Sequence, residues 1–282
     1  MSFAPLENHD ELLQAQEQRE LVVSAGTEGS ERCSTCLAGP HAGAIEPECI
    51  PVPWFGKMSE CLAVATVGPN PALTEWRSNR DWHPREQRLP ILRDLGLAVR
   101  SQMTDGHLED VKSRRAAYFS NKPHSYFDAL ESLLRCIDSA WSYKAGTAIH
   151  LDLVACATRQ RWARMSHEAK AALKKNCRNH LIQTLGLLPS RAVLLLNGES
   201  VHDGLLEAVT SPGSIPPPDT CEIPGASGTS GFAGRIKAGN ASLGYVGWST
   251  PIDKTTGPTA LATALWVRQM AKALSADSKP GA

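Results

Sequence analysis

The chain has 282 residues, 42% of them hydrophobic, and carries 29 basic against 29 acidic side chains. That is enough apolar material for a sizeable core, and a balance of charge that gives no whole-molecule field for a polyanion, so any nucleic-acid contact has to be a local patch. No basic-then-apolar leader opens the sequence and no apolar run approaches the roughly 18 residues of a membrane span, which points to a cytoplasmic protein with no membrane partner. In that compartment the eight cysteines stay reduced and serve as core thiols, metal ligands or reactive groups.

Residues 1–32 are polar and rich in Glu and Gln, with one helix-compatible stretch, "DELLQAQEQRELV", and read as an N-terminal appendage to a single domain over 33–282. From Leu62 onward strand-like and helix-like segments alternate: "LAVATV", "SYFDALESLLRCIDSAW", "AIHLDLVACA", "SHEAKAALKKNCRNHLIQTL", "AVLLLNG" and "ESVHDGLLEAV". Short, continuously apolar strands between helices predict an α/β fold, a three-layer αβα sandwich around a central, mainly parallel sheet. Residues 211–247 change character, with "SPGSIPPPDTCEIPGASGTSG" as a long irregular connection before "GRIKAGNASLGYVGW". A last helix, "PTALATALWVRQMAKALSA", has Pro258 near its start.

Ligands of open α/β sheets bind beyond the carboxyl ends of the strands, and three such loops hold unusual residues. "GPNP" follows the first strand; its glycine and prolines fix a tight backbone around Asn70, whose amide both donates and accepts. Asp152 sits in the otherwise apolar "IHLDLVACA", where a carboxylate is costly unless paired or functional. "GYVGWSTPIDKTTG" gathers an aromatic ring, hydroxyls, a proline and Lys254 before the last helix. Each has a plainer reading. Gly-x-Asn-Pro is a common turn, Asp152 could cap a neighbouring helix, and Thr250 or Asp253 could cap the last one.

The three loops, in this order and with "AVLLLNGESVHD" between the second and third, resemble the uracil-DNA glycosylase superfamily over roughly residues 50–275. The resemblance implies a monofunctional glycosylase that binds DNA, acts as a monomer and needs no cofactor for its chemistry. It swings a nucleotide out of the stack and hydrolyses the base–sugar bond, leaving an abasic site. Gly68, Asn70 and Pro71 match the family's first motif, in which Asn70 would orient the attacking water, with Glu75 the nearest carboxylate to assist; the plain reading of Glu75 is a first-turn helix acid. Asp152 takes the base-reading position, and Trp248-Ser249-Thr250-Pro251-Ile252 takes the place of the loop that wedges into the duplex.

Two departures bear on the substrate. The family reads uracil with an asparagine; an ionised aspartate only accepts, so it repels uracil O4 and pairs with the exocyclic amine of a cytosine, a difference of about 1–3 kcal/mol. Ala72 stands where uracil-specific members carry a tyrosine that excludes bases substituted at carbon 5. Together these point to a 5-substituted cytosine, of the kind found, sometimes glucosylated, in phage DNA, and hence to antiviral defence. The alternatives are repair of uracil or another deaminated base, and a module that senses a modified base without cleaving it. Around the loops, Arg77, Arg80, Arg85 and Arg88 interleave with Trp76, Trp82 and His83 as candidate DNA contacts. Ser249, Pro251 and Lys254 join them, with Lys254, Thr255 and Thr256 placed to bind a phosphate at the last helix's N-terminus. One branch of the superfamily carries a [4Fe-4S] cluster on cysteines placed like Cys33, Cys36, Cys156 and Cys177; against it, Leu173, Cys177 and Leu181 form a helical stripe that fits a core thiol.

Overall fold

The computed structural model describes residues 31, 33–76, 88–121, 123–210, 220–239, 241–250 and 257–276. Seven strands form one sheet: β1 (Trp54–Phe55), β2 (Val64–Gly68), β3 (Ala148–Asp152), β4 (Val193–Asn197), β5 (Thr220–Glu222), β6 (Ser230–Ala238) and β7 (Ala241–Trp248). Their spatial order is β1-β3-β2-β4-β7-β6-β5. Strands β3, β2, β4 and β7 run parallel, while β1 pairs antiparallel with β3, and β6 and β5 extend the other edge antiparallel. The helices are α1 (Thr35–Ala38), α2 (Asp105–Ala116), α3 (Tyr126–Ile137), α4 (His167–Gly186), α5 (Glu199–Val209) and α6 (Gly257–Ala276).

Alternate side chains of the parallel strands enter two cores. Val64, Val193, Leu195 and Val246 pack with Leu130 and Leu134 of α3 and Val267 and Ala271 of α6. Ala65, Val67, Leu194 and Leu196 meet Leu181 and Leu185 of α4 and Val201 and Leu205 of α5 on the opposite face. The result is helix, sheet, helix: an α/β fold of three layers. Local chemistry sets the helix starts. Ser166 accepts from the Ala169 N–H at 3.2 Å to begin α4. Gly198, at φ 109°, turns the end of β4 into α5.

The connection expected to be irregular, residues 211–231, contributes β5 and the start of β6 to the sheet. β6 and β7 form a long hairpin, paired from Gly231–Trp248 to Ala238–Ala241, with β5 beyond it. Its glycines, which argue against strand by propensity, make room for rings: a Cβ on Gly231 would run into Trp266, and one on Gly247 into Phe232. Of the N-terminal appendage only Glu31 is described; it is buried, and its carboxylate accepts from Arg115 Nη1 at 2.7 Å. No helix among the described residues is long and apolar enough to cross a membrane.

Candidate functional site

The carboxyl ends of the four parallel strands put one residue each into a row. Gly68 pairs with Asp152; on its other side Asn197 follows the Val67–Leu196 pair, and Asn197 pairs with Trp248. All four face the same core as Val64 and Val246, because side-by-side residues of parallel strands point the same way. The glycine opens a notch in this row. A Cβ there would lie 2.8 Å from Asp152 Oδ1 and 2.9 Å from His150 Nε2.

Asp152 is 4% exposed, and neither of its oxygens has a hydrogen-bond partner among the described residues. His150, two residues back on β3 and so on the same face, brings Nε2 to 3.4 Å from Oδ1. Its Nδ1 shares a 2.7 Å hydrogen bond with Thr66 Oγ1, and Thr66 Oγ1 is bonded in turn to the Tyr143 hydroxyl. Rings of Phe55, Tyr126 and Phe127 surround the imidazole at centroid distances of 5.0–6.1 Å. The orphaned carboxylate thus stands at the end of a chain of polar groups inside an aromatic shell.

Glu75 joins this centre rather than a helix surface. It ends a single turn, Leu73–Glu75, is 3% exposed, and accepts from the Tyr118 hydroxyl; Arg88 Nη1 lies 4.0 Å from Oε2. Burial pushes its pKa up to about 7, the Tyr118 hydrogen bond and the Arg88 charge hold it down, and the negative charge of Asp152 adds to the rise. Glu75 is therefore not the surface acid of the plain reading: it ends the short turn Leu73–Glu75 with its carboxyl buried in the protein.

Asn70 lies on the other side of the same loop, half-buried. Its Nδ2 donates to Pro71 O at 3.0 Å and to Thr158 Oγ1 at 3.1 Å, and Thr158 passes its own proton to Gln160 O at 2.7 Å. The loops after β2 and β3 are also laced by backbone, Leu153 N–H to Gly68 O and Val154 N–H to Pro69 O. Asn70, Pro71, Ala72, Thr158 and Trp162 help line a cleft of about 570 Å³, with His124 and Arg161 also on its wall. Asp152 is not part of that lining. Asp152 ends β3 and Asn70 lies two residues past the end of the adjacent β2, but the cleft belongs to Asn70, Pro71 and Ala72.

The third loop is described only at its start. Trp248 is 1% exposed and belongs to the core under the sheet, so its ring is not offered to solvent; its Nε1 has no partner among the described residues. Ser249 is tied to Ser230 by two hydrogen bonds of 2.9 and 3.0 Å, and Thr250 accepts from Thr229 Oγ1 at 3.5 Å. Pro251, Ile252, Asp253, Lys254, Thr255 and Thr256 lie outside the described residues, as do Arg77, Arg80, Trp82, His83 and Arg85. Trp76, like Trp248, is a core ring, at 0% exposed.

Three of the four cysteines singled out converge. The sulfurs of Cys36, Cys156 and Cys177 lie within 4.8 Å of one another, all buried, with Cys36 and Cys177 4.0 Å apart. A tetrahedral ion with metal–sulfur bonds of about 2.3 Å spaces its thiolates about 3.8 Å apart, so this donor set fits a thiolate-bound metal. Hydrogen bonds from Cys177 and Cys36 put the Cys156 pKa well below that of a free thiol, and the same contact with Cys156 pushes Cys36 up to about 12. Cys33, half-buried beside them, is brought down to about 7 by its hydrogen bond with His180.

His150, Thr66, Tyr143, Tyr118 and Thr158 escaped sequence reasoning. A signal existed for the first: His150 and Asp152 are polar residues two apart in an apolar strand, hence on one face. For the tyrosines, dozens of residues away in the chain, there was none. Compared with models of known protein families and with curated proteins, the chain matches none.

Proposed function

We propose that the protein is a DNA glycosylase that swings out a modified cytosine, most simply one substituted at carbon 5, and releases it by water attack. The observation that carries this reading is the buried carboxylate of Asp152, whose two oxygens lack hydrogen-bond donors beside the notch at Gly68. With only His150 Nε2 near it, 3.4 Å from Oδ1, the carboxylate makes no hydrogen bond, which costs about 1–3 kcal/mol, and a ligand edge bearing an amine offsets that cost. Cytosine presents that amine; uracil presents a carbonyl oxygen that an ionised Asp152 repels. In this reading Asn70 places the water. Its amide nitrogen is spent on Pro71 and Thr158, which leaves Oδ1 to accept from a water molecule, and the cation-like sugar is stabilised largely by positioning. Ala72, exposed on the cleft wall, leaves space for the substituent. An enzyme of this kind would strip modified bases from invading DNA.

The thiol group supports a structural metal centre. Cys33, Cys36, Cys156 and Cys177 supply the four thiolates of an iron–sulfur cluster; the close spacing of three sulfurs favours a single ion such as zinc as the second reading. The centre ties the N-terminal segment, the loop after β3 and α4 together and supplies no step of the reaction.

A non-cleaving sensor of modified bases is the rival that one observation favours, namely that the cleft lined by Asn70 does not include Asp152. DNA carrying uracil, cytosine or 5-substituted cytosine, incubated with the protein and then heated in alkali, separates the readings. Strand breaks at the substituted cytosine support the proposal, breaks at uracil support a repair enzyme, and retention of modified DNA without breaks supports the sensor. Asp152→Asn should shift preference towards uracil by about tenfold to a hundredfold; an unchanged preference removes Asp152 from base reading.

A further inference from the structure

We propose that Arg100 is the internal counter-charge of the thiolate–metal centre, and the clamp that holds two of its chain segments together. The inference rests on the metal reading of the thiols given above.

Arg100 opens a short turn, Arg100–Gln102, and is 2% exposed. Its Nη1 donates to Cys33 O at 2.8 Å and reaches Cys156 Sγ at 3.8 Å. Its Nη2 donates to Cys49 O at 2.6 Å and to Glu46 O at 3.4 Å, while Nε has no partner. Among the described residues no carboxylate lies within ion-pair distance of it. The other buried arginine, Arg115, pairs with Glu31 at 2.7 Å.

A guanidinium keeps its charge in proteins, and a buried charge facing only neutral carbonyls is costly. Of the three sulfurs only Cys156 is in contact with it, so without a metal at most one thiolate faces the guanidinium. Metal binding adds to that charge, because coordination removes the remaining thiol protons. A divalent ion with three thiolates carries one net negative charge, and with a fourth from Cys33 it carries two; a four-thiolate cluster in its oxidised state also carries two. The metal-bound centre therefore presents a net negative charge in contact with Nη1. The same nitrogen holds the carbonyl of Cys33, so one side chain joins the Cys33–Cys36 segment to Cys156 across 67 and 56 residues of chain. Arg100 acts through the ligands and is a positioning residue.

The test uses the full chain, depleted of metal and then loaded with Zn2+ alone or, without oxygen, with Fe3+, sulfide and a thiol reductant that supplies the electrons for the ferrous irons. Zinc affinity is read by competition with a chelator, and the iron form by its midpoint potential in a visible redox titration. Arg100→Gln, shown to be folded by circular dichroism, should bind zinc about 10–100-fold more weakly, as loss of a ligand's outer partner does. In an iron form its midpoint should fall, since a lost positive charge disfavours the added electron. Arg100→Lys, which keeps the charge, should restore most of the affinity and the midpoint. If Arg100→Gln does not fold, Arg100→Met against Arg100→Lys makes the same comparison of charge at similar length. A folded neutral variant with wild-type affinity and midpoint overturns the role of Arg100 and leaves the metal reading standing. Failure of the wild-type chain to take up either metal overturns both.

Discussion

Replacing Glu75 with glutamine isolates the electrostatics at the heart of the candidate site. The side chain is buried, and glutamine keeps its shape and an oxygen to accept from the Tyr118 hydroxyl. Burial raises the carboxyl from its ordinary 4.5 to about 7, with Tyr118 and Arg88 opposing and Asp152 reinforcing. A carboxyl that holds its proton more tightly folded than unfolded makes stability fall as pH rises through that interval, with the full cost present above about 7. At about 1.4 kcal/mol per pH unit, the rise amounts to about 3 kcal/mol. Urea unfolding of wild type and Glu75→Gln between about pH 4.5 and pH 8 should therefore show the wild type losing about 3 kcal/mol relative to the variant as pH increases. Parallel curves would refute the reasoning: they would mean that the carboxylate is already comfortable when ionised. Combining the experiment with Asp152→Asn sharpens it, because removing that negative charge should move the wild-type slope to lower pH.

Two further substitutions probe the same centre. Gly68→Ala places a methyl group 2.8 Å from Asp152 Oδ1 and 2.9 Å from His150 Nε2; it should cost about 1–3 kcal/mol by overpacking and abolish any binding that uses the notch, measured by denaturant melts and by DNA retention on a filter. Thr66→Val keeps the shape but leaves the Tyr143 hydroxyl and His150 Nδ1 without their shared partner; a loss of about 1–3 kcal/mol is expected, and a variant as stable as wild type would show that the chain of groups contributes nothing.

Much of the scaffold was written in local pattern. The helix in "SHEAKAALKKNCRNHLIQTL" and the strand in "AVLLLNG" sit within a residue or two of where the alternation of segments put them, since that pattern acts over a few residues. The run "AIHLDLVACA" was legible as buried, yet the strand stops at Asp152 and Leu153–Ala157 continue as buried loop. Apolarity reports burial, and the ladder bonds that separate strand from loop come from neighbours, here Gly68 O and Pro69 O. The pairing of β6 with β7 had no such mark: their glycines make room for Trp266 of α6 and for Phe232 across the ladder. The candidate site divides in the same way. Asn70 and Asp152 stand out against their own surroundings in the sequence, while Glu75 owes its environment to Tyr118 and Arg88, and the thiol group owes its counter-charge to Arg100. Nothing local marks those partners.

The stretch "GPNP" acquires a mechanical sense from these contacts. A side-chain amide at the tip of a loop would ordinarily rotate, and a water held by it would wander. Here Pro69 and Pro71 restrict the backbone on both sides of Asn70, Pro69 O is held by Val154 N–H, and the amide nitrogen is pinned by Pro71 O and by Thr158. Thr158 lies six residues beyond Asp152 in the loop leaving β3. The same cross-ties that fix Asn70 therefore fix the strand end that carries the orphaned carboxylate. In the proposed reaction the distance between base reader and water then depends on loop-to-loop hydrogen bonds formed before DNA arrives. Such preorganisation is what a chemistry governed by positioning requires, because any slack between the two groups would be paid in the transition state.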